Sequence, residues 1–224
     1  MNFAWMDEAV HAHSGAFERA MRVLPSAEID ARPAYDRAKR LFDLVLGALA
    51  AAVAALPMLA IALVVRLDSP GPALYRQERL GLDGKPFILL KFRSMRQDAE
   101  SGGPRWAEKY DPRVTRVGRV LRRTRLDELP QLWNILCGEM SFVGPRPERR
   151  YFYEAFEERL PGFSRRMAVK PGLTGWAQVN GGYDLQPPDK LVYDMEYIRR
   201  RSAGLDARCL LMTVRIVLGG HGAR

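Results

Sequence analysis

The sequence predicts an α+β fold, mostly helical, in which one apolar membrane helix joins a small soluble domain containing a short sheet. Three observations predict it. Leu44–Val65 is a run of 22 residues without a charge. Residues 86–92, Pro-Phe-Ile-Leu-Leu-Lys-Phe, form a brief apolar run suited to a buried strand. Val114, Val117, Val120 and Leu121, then Leu129, Leu132, Trp133 and Leu136, recur at helical spacing. With 224 residues the chain holds one domain and its appendages.

Along the chain, residues 1–35 read as a variable tail. They lack a basic segment followed by an apolar core, so they are not a signal peptide. The membrane helix occupies residues 36–67. At 1.5 Å per residue its uncharged run is about 33 Å long, against a hydrocarbon core of about 30 Å. Pro57 lies within the run, where its ring removes a donor and favours a kink. Four basic residues precede the run (Arg32, Arg37, Lys39, Arg40) and three follow it (Arg66, Arg76, Arg79). A spanning helix predicts asymmetry between its flanks. The near tie leaves two geometries open: a span, or a re-entrant helix bent at Pro57 with both ends on one face.

Residues 68–224 form the body. Ser69-Pro70-Gly71-Pro72 turns the chain out of the helix, and residues 98–112 read as a surface loop. Pro130 suits the first turn of a helix, Asp127 is placed as its N-cap, and Gly138 can end it. Asp127 and Glu128 therefore stand together just after Arg122, Arg123 and Arg125. A helix N-terminus and arginines both favour anions, so carboxylates, a Mg²⁺ ion and a phosphate can share such a place. The same pattern also suits a plain capped helix with a solvated basic face. Gly144-Pro145-Arg146-Pro147 presents one arginine on a rigid turn. Residues 171–182 are rich in glycine and carry the amides of Gln178 and Asn180. Residues 188–201 read as a helix bearing Asp194, and 208–218 as a helix belonging either to the core or to a membrane surface.

Composition removes several chemistries. The three histidines lie near the termini, and the two cysteines lie in apolar stretches. Zinc sites of His and Cys, Ser-His-Asp or Cys-His catalysis and a disulfide scaffold are all poorly supplied. The net charge of +9 favours an anionic partner. Aromatic residues are not interleaved with the basic runs, so no nucleic acid is expected.

Seven segments in order then resemble one family. They are Lys39-Arg40-Leu41-Phe42-Asp43, Asp68-Ser69-Pro70-Gly71-Pro72, Arg76-Gln77-Glu78-Arg79, Lys91-Phe92-Arg93-Ser94-Met95, Leu126-Asp127-Glu128-Leu129-Pro130-Gln131-Leu132, Met140 to Pro147, and Pro171 to Gly181. The chain is similar over residues 37–218 to the bacterial sugar transferases, monotopic phosphoglycosyl transferases that move a hexose-1-phosphate onto polyprenyl phosphate. Leu56 stands where the family often has Ser, and Gly182 where it usually has Arg.

The resemblance implies a re-entrant helix bent at Pro57, interfacial helices, and a catalytic domain on the cytoplasmic face of the inner membrane. It implies a UDP-sugar donor, a polyprenyl (undecaprenyl) phosphate acceptor, membrane lipid as a partner, Mg²⁺ as cofactor and UMP as product. Asp127 would be the nucleophile and metal ligand, with Glu128 as its catalytic partner. Lys91, Arg122 and Arg146 would contact phosphate, and Gln178 and Asp194 the substrate. The chain reads as a minimal catalytic unit with a short tail. A membrane-anchored Mg²⁺-dependent phosphohydrolase and a noncatalytic basic membrane scaffold are the competing readings.

Overall fold

The computed structural model describes residues 30–101 and 111–219. Nearly all of the N-terminal tail and most of the 98–112 loop lie outside them. Helix α1, Pro33–Asp68, opens on a proline at a first-turn position and has Pro57 inside it. It is the one helix among the described residues long and apolar enough to cross a membrane.

One stripe of α1 packs on the body. Asp43, Gly47, Ala54 and Val65 are buried, with Met58, Ile61 and Ala62 partly so. This 3–4 spacing places them on a single face. The remaining faces expose Leu49, Val53, Leu56, Leu63 and Leu67. Both ends of α1 are tied to the body. Near the start, Lys39 donates to Asp206 at 2.7 Å, and Arg40 donates to the carbonyls of Ile135 and Leu136 at 2.7 and 2.8 Å. Asp43, the last charge before the apolar run, accepts from Ser141 Oγ and Phe142 N, each at 3.1 Å. At the far end the Arg93 guanidinium donates to the carbonyls of Val65, Ser69 and Pro70, taking up acceptors that a helix end leaves open.

The β-structure is two short sheets. Strands β1 (Leu74–Leu80) and β2 (Pro86–Phe92) pair antiparallel, with Tyr75 opposite Lys91 and Gln77 opposite Leu89. Phe87 and Leu89 are buried as the apolar run predicts. β1 carries no such signal: its inward residues are Tyr75, Gln77 and Arg79, so it lacks the apolar alternation of a half-buried strand. β3 (Ser141–Val143) and β4 (Gly172–Thr174) pair parallel. Their approach requires glycine, because a Cβ on Gly172 would lie 2.1 Å from the Gly144 nitrogen.

Helix α2, Arg116–Thr124, is capped by Thr115, whose Oγ1 accepts from Gly118 N. Arg125 ends it in the left-handed region, φ 61°. Here the sequence expectation is corrected. Asp127 does not cap a helix; Leu126–Glu128 form a single 3₁₀ turn, and Pro130 holds the N-cap position of α3, Gln131–Cys137. Two residues, Leu129 and Pro130, intervene between the carboxylates and α3. Gly138 ends α3 at φ 84°, as expected.

Helices α4 (Arg150–Arg159), α5 (Trp176–Asn180), α6 (Pro187–Arg200) and α7 (Ala203–Gly219) complete the body. The core gathers Ile135, Met140, Phe156, Leu160, Phe163, Leu191 and Ile198 between them. α7 resolves the choice left by its sequence. It buries Asp206 and Cys209 and exposes Leu211, Val214, Val217 and Leu218, so it packs on one side and presents an apolar surface on the other.

Candidate active site

A cavity of about 820 Å³ lies between the β1–β2 hairpin, the carboxylate turn, the Arg146 loop and α7. Its walls divide by chemistry. Leu46, Phe142, Leu210, Val214 and Val217 form an apolar side, while Lys91, Arg122, Asp127, Glu128, Arg146 and Arg166 supply charge. Val214 and Val217 are also exposed, so the apolar side is continuous with the outer surface of α7.

The two adjoining carboxylates differ sharply. The Arg146 guanidinium grips Glu128 with two prongs, Nη2 to Oε1 at 2.5 Å and Nη1 to Oε2 at 3.3 Å. Burial alone would raise the Glu128 carboxyl, but Arg146, helped by Arg125 and Lys91, holds it below the usual range. Asp127 is buried at 7% exposure and accepts no hydrogen bond among the described residues. Burial, reinforced by the Glu128 charge, pushes its carboxyl above the usual range against the pull of Lys91, Arg122 and Arg146.

Several elements place the surrounding cations. Lys91 comes from the end of β2, with Nζ 5.3 Å from the centroid of the Tyr75 ring. Burial and the charge of Arg79 push its ammonium down to about 8, with Asp127 opposing them. Arg122, in the last turn of α2, donates from Nε to Ser94 Oγ at 2.9 Å. Ser94 lies close because Gly118 has no side chain; a Cβ there would meet the Ser94 carbonyl oxygen at 2.0 Å.

Lys91, Arg122, Asp127, Glu128, Arg146 and Gln178 thus meet at one cavity. Both amide atoms of Gln178 are buried without a partner among the described residues. Asp194 does not join them at the wall. It is 1% exposed and accepts from Arg166 Nε at 2.6 Å, so a direct substrate contact is not what its position provides. Sequence reasoning does not single out Arg166 or the cavity-lining Lys190, because each stands in an ordinary run of polar and apolar residues. No group of three or more His, Cys, Asp or Glu is placed to hold a metal among the described residues. A Mg²⁺ ion needs less from a protein, commonly one or two carboxylates with substrate phosphates completing the sphere. Asp127 fits that requirement, whereas Glu128 is already committed to Arg146.

Together the fold and site define a class: proteins with a phosphate-suited cavity beside an apolar helix able to enter a membrane. A family model described as Bacterial sugar transferase matches residues 34–220, and the chain belongs to that family. It is 43% identical over 195 residues to the UDP-N-acetylgalactosamine-undecaprenyl-phosphate N-acetylgalactosaminephosphotransferase of Aeromonas hydrophila, covering 86% of this chain and 46% of that protein. It is 43% identical over 192 residues to a UDP-glucose:undecaprenyl-phosphate glucose-1-phosphate transferase of Caulobacter vibrioides, covering 84% and 72%. Against a putative undecaprenyl-phosphate N-acetylgalactosaminyl 1-phosphate transferase of Bacillus subtilis it is 54% identical over 130 residues, covering 58% and 72%. The chain spans about half the length, 46%, of the Aeromonas relative.

Proposed function

We propose that this protein transfers a sugar-1-phosphate from a UDP-sugar to undecaprenyl phosphate, releasing UMP, through a covalent intermediate on Asp127. One observation carries the reading: of two adjacent carboxylates in a cation-lined cavity, Glu128 is gripped by Arg146 and Asp127 is left without a partner among the described residues. An unpartnered, desolvated carboxylate is suited to attack.

An Asp127 oxygen attacks the phosphorus that bears the sugar. The bond from that phosphorus to the bridging oxygen breaks, and UMP leaves with the electron pair. A phosphate oxygen of the lipid then attacks the same phosphorus and frees the carboxylate. Lys91, Arg122 and Arg146 offset the repulsion between a carboxylate and a diphosphate. Mg²⁺ held by Asp127 and the donor's phosphates would supply further charge neutralisation. The apolar wall suits the acceptor's hydrocarbon chain, and the product is a lipid-linked sugar of the kind on which exopolysaccharide, O-antigen or other glycan assembly begins.

Both ends of α1 lie on the cytoplasmic face of the inner membrane in this reading. The ties from Lys39, Arg40 and Arg93 to one body support it. Cysteines placed at Ala34 and at Arg76, in a chain lacking Cys137 and Cys209, should be equally protected in intact cells; opposite accessibility would establish a span.

The reaction is tested by incubating the protein with UDP-sugars and Mg²⁺ without acceptor. About one UMP per site should be released with a matching gain of sugar-phosphate mass, and undecaprenyl phosphate should restore turnover. Multiple turnovers without acceptor would indicate a phosphohydrolase. Sequential kinetics with no adduct would indicate direct transfer.

A further inference from the structure

The turn that carries Arg146 is fixed in an unusual manner. Pro145 and Pro147 lack an N–H, so the turn is held largely through its carbonyls. The Pro145 carbonyl accepts from Gly172 N at 2.9 Å, the Arg146 carbonyl from Arg166 Nη2 at 3.2 Å, and the Pro147 carbonyl from Arg79 Nη1 at 2.9 Å. The middle hold comes from a guanidinium that is itself immobilised. Arg166 Nε donates to Asp194 Oδ2 at 2.6 Å, and both side chains are 1% exposed. The Arg166 cation also lies 4.6 Å from the centroid of the Phe163 ring. A buried ion pair of this kind contributes little net stability, although removing one partner is costly. Asp194 does not line the cavity, whereas its hydrogen-bond partner Arg166 does.

We propose that the Arg166–Asp194 pair is a positioning device: it fixes the main chain at Arg146 and thereby aims the Arg146 side chain at Glu128. The inference rests on the transferase reading for its catalytic consequence, though not for its structural readout. Lysine at position 166 cannot hold Asp194 and the Arg146 carbonyl with two separate nitrogens.

Two measurements test it on the full chain in detergent. The first is a double-mutant cycle on the denaturation midpoint between Arg146→Lys and Glu128→Gln, run in the wild-type and the Arg166→Lys backgrounds. The coupling between Arg146 and Glu128 should fall to about half or less in Arg166→Lys. The second is a double-mutant cycle on UMP release. Arg166→Lys should lower kcat about tenfold with donor KM changed less than about threefold. Combined with Arg146→Lys, it should add little to the loss from Arg146→Lys alone. An unchanged Arg146–Glu128 coupling, or losses that multiply, would overturn the proposal. If Arg166→Lys does not fold, Asp194→Asn keeps an acceptor near Arg166 and is expected to weaken the coupling in the same way; a folded Asp194→Asn with an unchanged coupling overturns it equally. Wild-type protein that releases no UMP refutes the transferase reading, and the stability coupling then decides the role of this pair by itself.

Discussion

Asp127 and Asp206 are equally buried, each at 7% exposure, yet their surroundings are opposite. Asp206 joins α7 to the start of α1. It accepts from the Tyr35 hydroxyl at 2.8 Å, Lys39 Nζ at 2.7 Å and the Tyr197 hydroxyl at 2.8 Å. Asp127 has cations around it and no hydrogen bond to any described residue. A buried acid with its partners supplied is a structural joint. One whose partners are withheld costs stability and is retained where a ligand or reaction completes it.

The largest expected effect separates the two sites outright. Asp127→Asn should lower turnover on the order of 10⁴-fold, as removal of a reacting group does. It should leave the melting temperature unchanged or slightly higher. The sign follows from the raised folded-state pKa: ionised Asp127 opposes folding at pH above both its unfolded and folded values, and Asn removes that opposition. A clear drop in melting temperature would place Asp127 with the structural joints.

Asp206→Asn should do the reverse. Leaving Lys39 and two tyrosine hydroxyls without the carboxylate should cost on the order of 3 kcal/mol, read as a lower denaturation midpoint in detergent. Activity per folded molecule should persist. Loss of activity without loss of stability would break the comparison from the other side.

A smaller effect concerns the cation beside Asp127. In the proposed reaction Lys91 would hold phosphate only while protonated, and burial pushes its ammonium down to about 8. The favourable charge is therefore present below that value and lost above it. kcat/KM should fall about tenfold per pH unit on the alkaline side, and Lys91→Arg should flatten the decline because the guanidinium stays charged. A wild-type profile level to about pH 10 would remove Lys91 from phosphate binding.

The smallest effect belongs to the apolar mouth. Val214→Ser should raise KM for undecaprenyl phosphate about fivefold, corresponding to roughly 1 kcal/mol of lost apolar contact. The donor KM should not change. Equal changes for both substrates would mean that α7 supports the site as a whole instead of meeting the lipid.

Much of this arrangement was legible in the chain. The uncharged run marks α1, the apolar 86–92 run marks β2, and helical spacing ending at Gly138 marks α3. Lys91, Arg122, Asp127, Glu128, Arg146 and Gln178 all reach one cavity. β1 was not legible, because Tyr75, Gln77 and Arg79 turn polar groups inward, against the signal that marks a strand. The buried stripe of α1 was hidden for the opposite reason: where every face is apolar, periodicity cannot show which one packs. The sequence places Asp127 as an N-cap, and the structure puts it inside a 3₁₀ turn instead, because a one-turn segment has too few residues to carry a pattern.

The sequence by itself determined the types of group available for chemistry, the apolar character of α1 and the elements with sustained periodicity. Those properties are local, set by residues within a few positions of one another. Tertiary structure alone decided how each charged group is used. Arg146 meets Glu128 across 18 positions, and Lys39 meets Asp206 across 167. Chain spacing does not encode such pairings; packing of distant elements does, and it left Asp206 satisfied and Asp127 open.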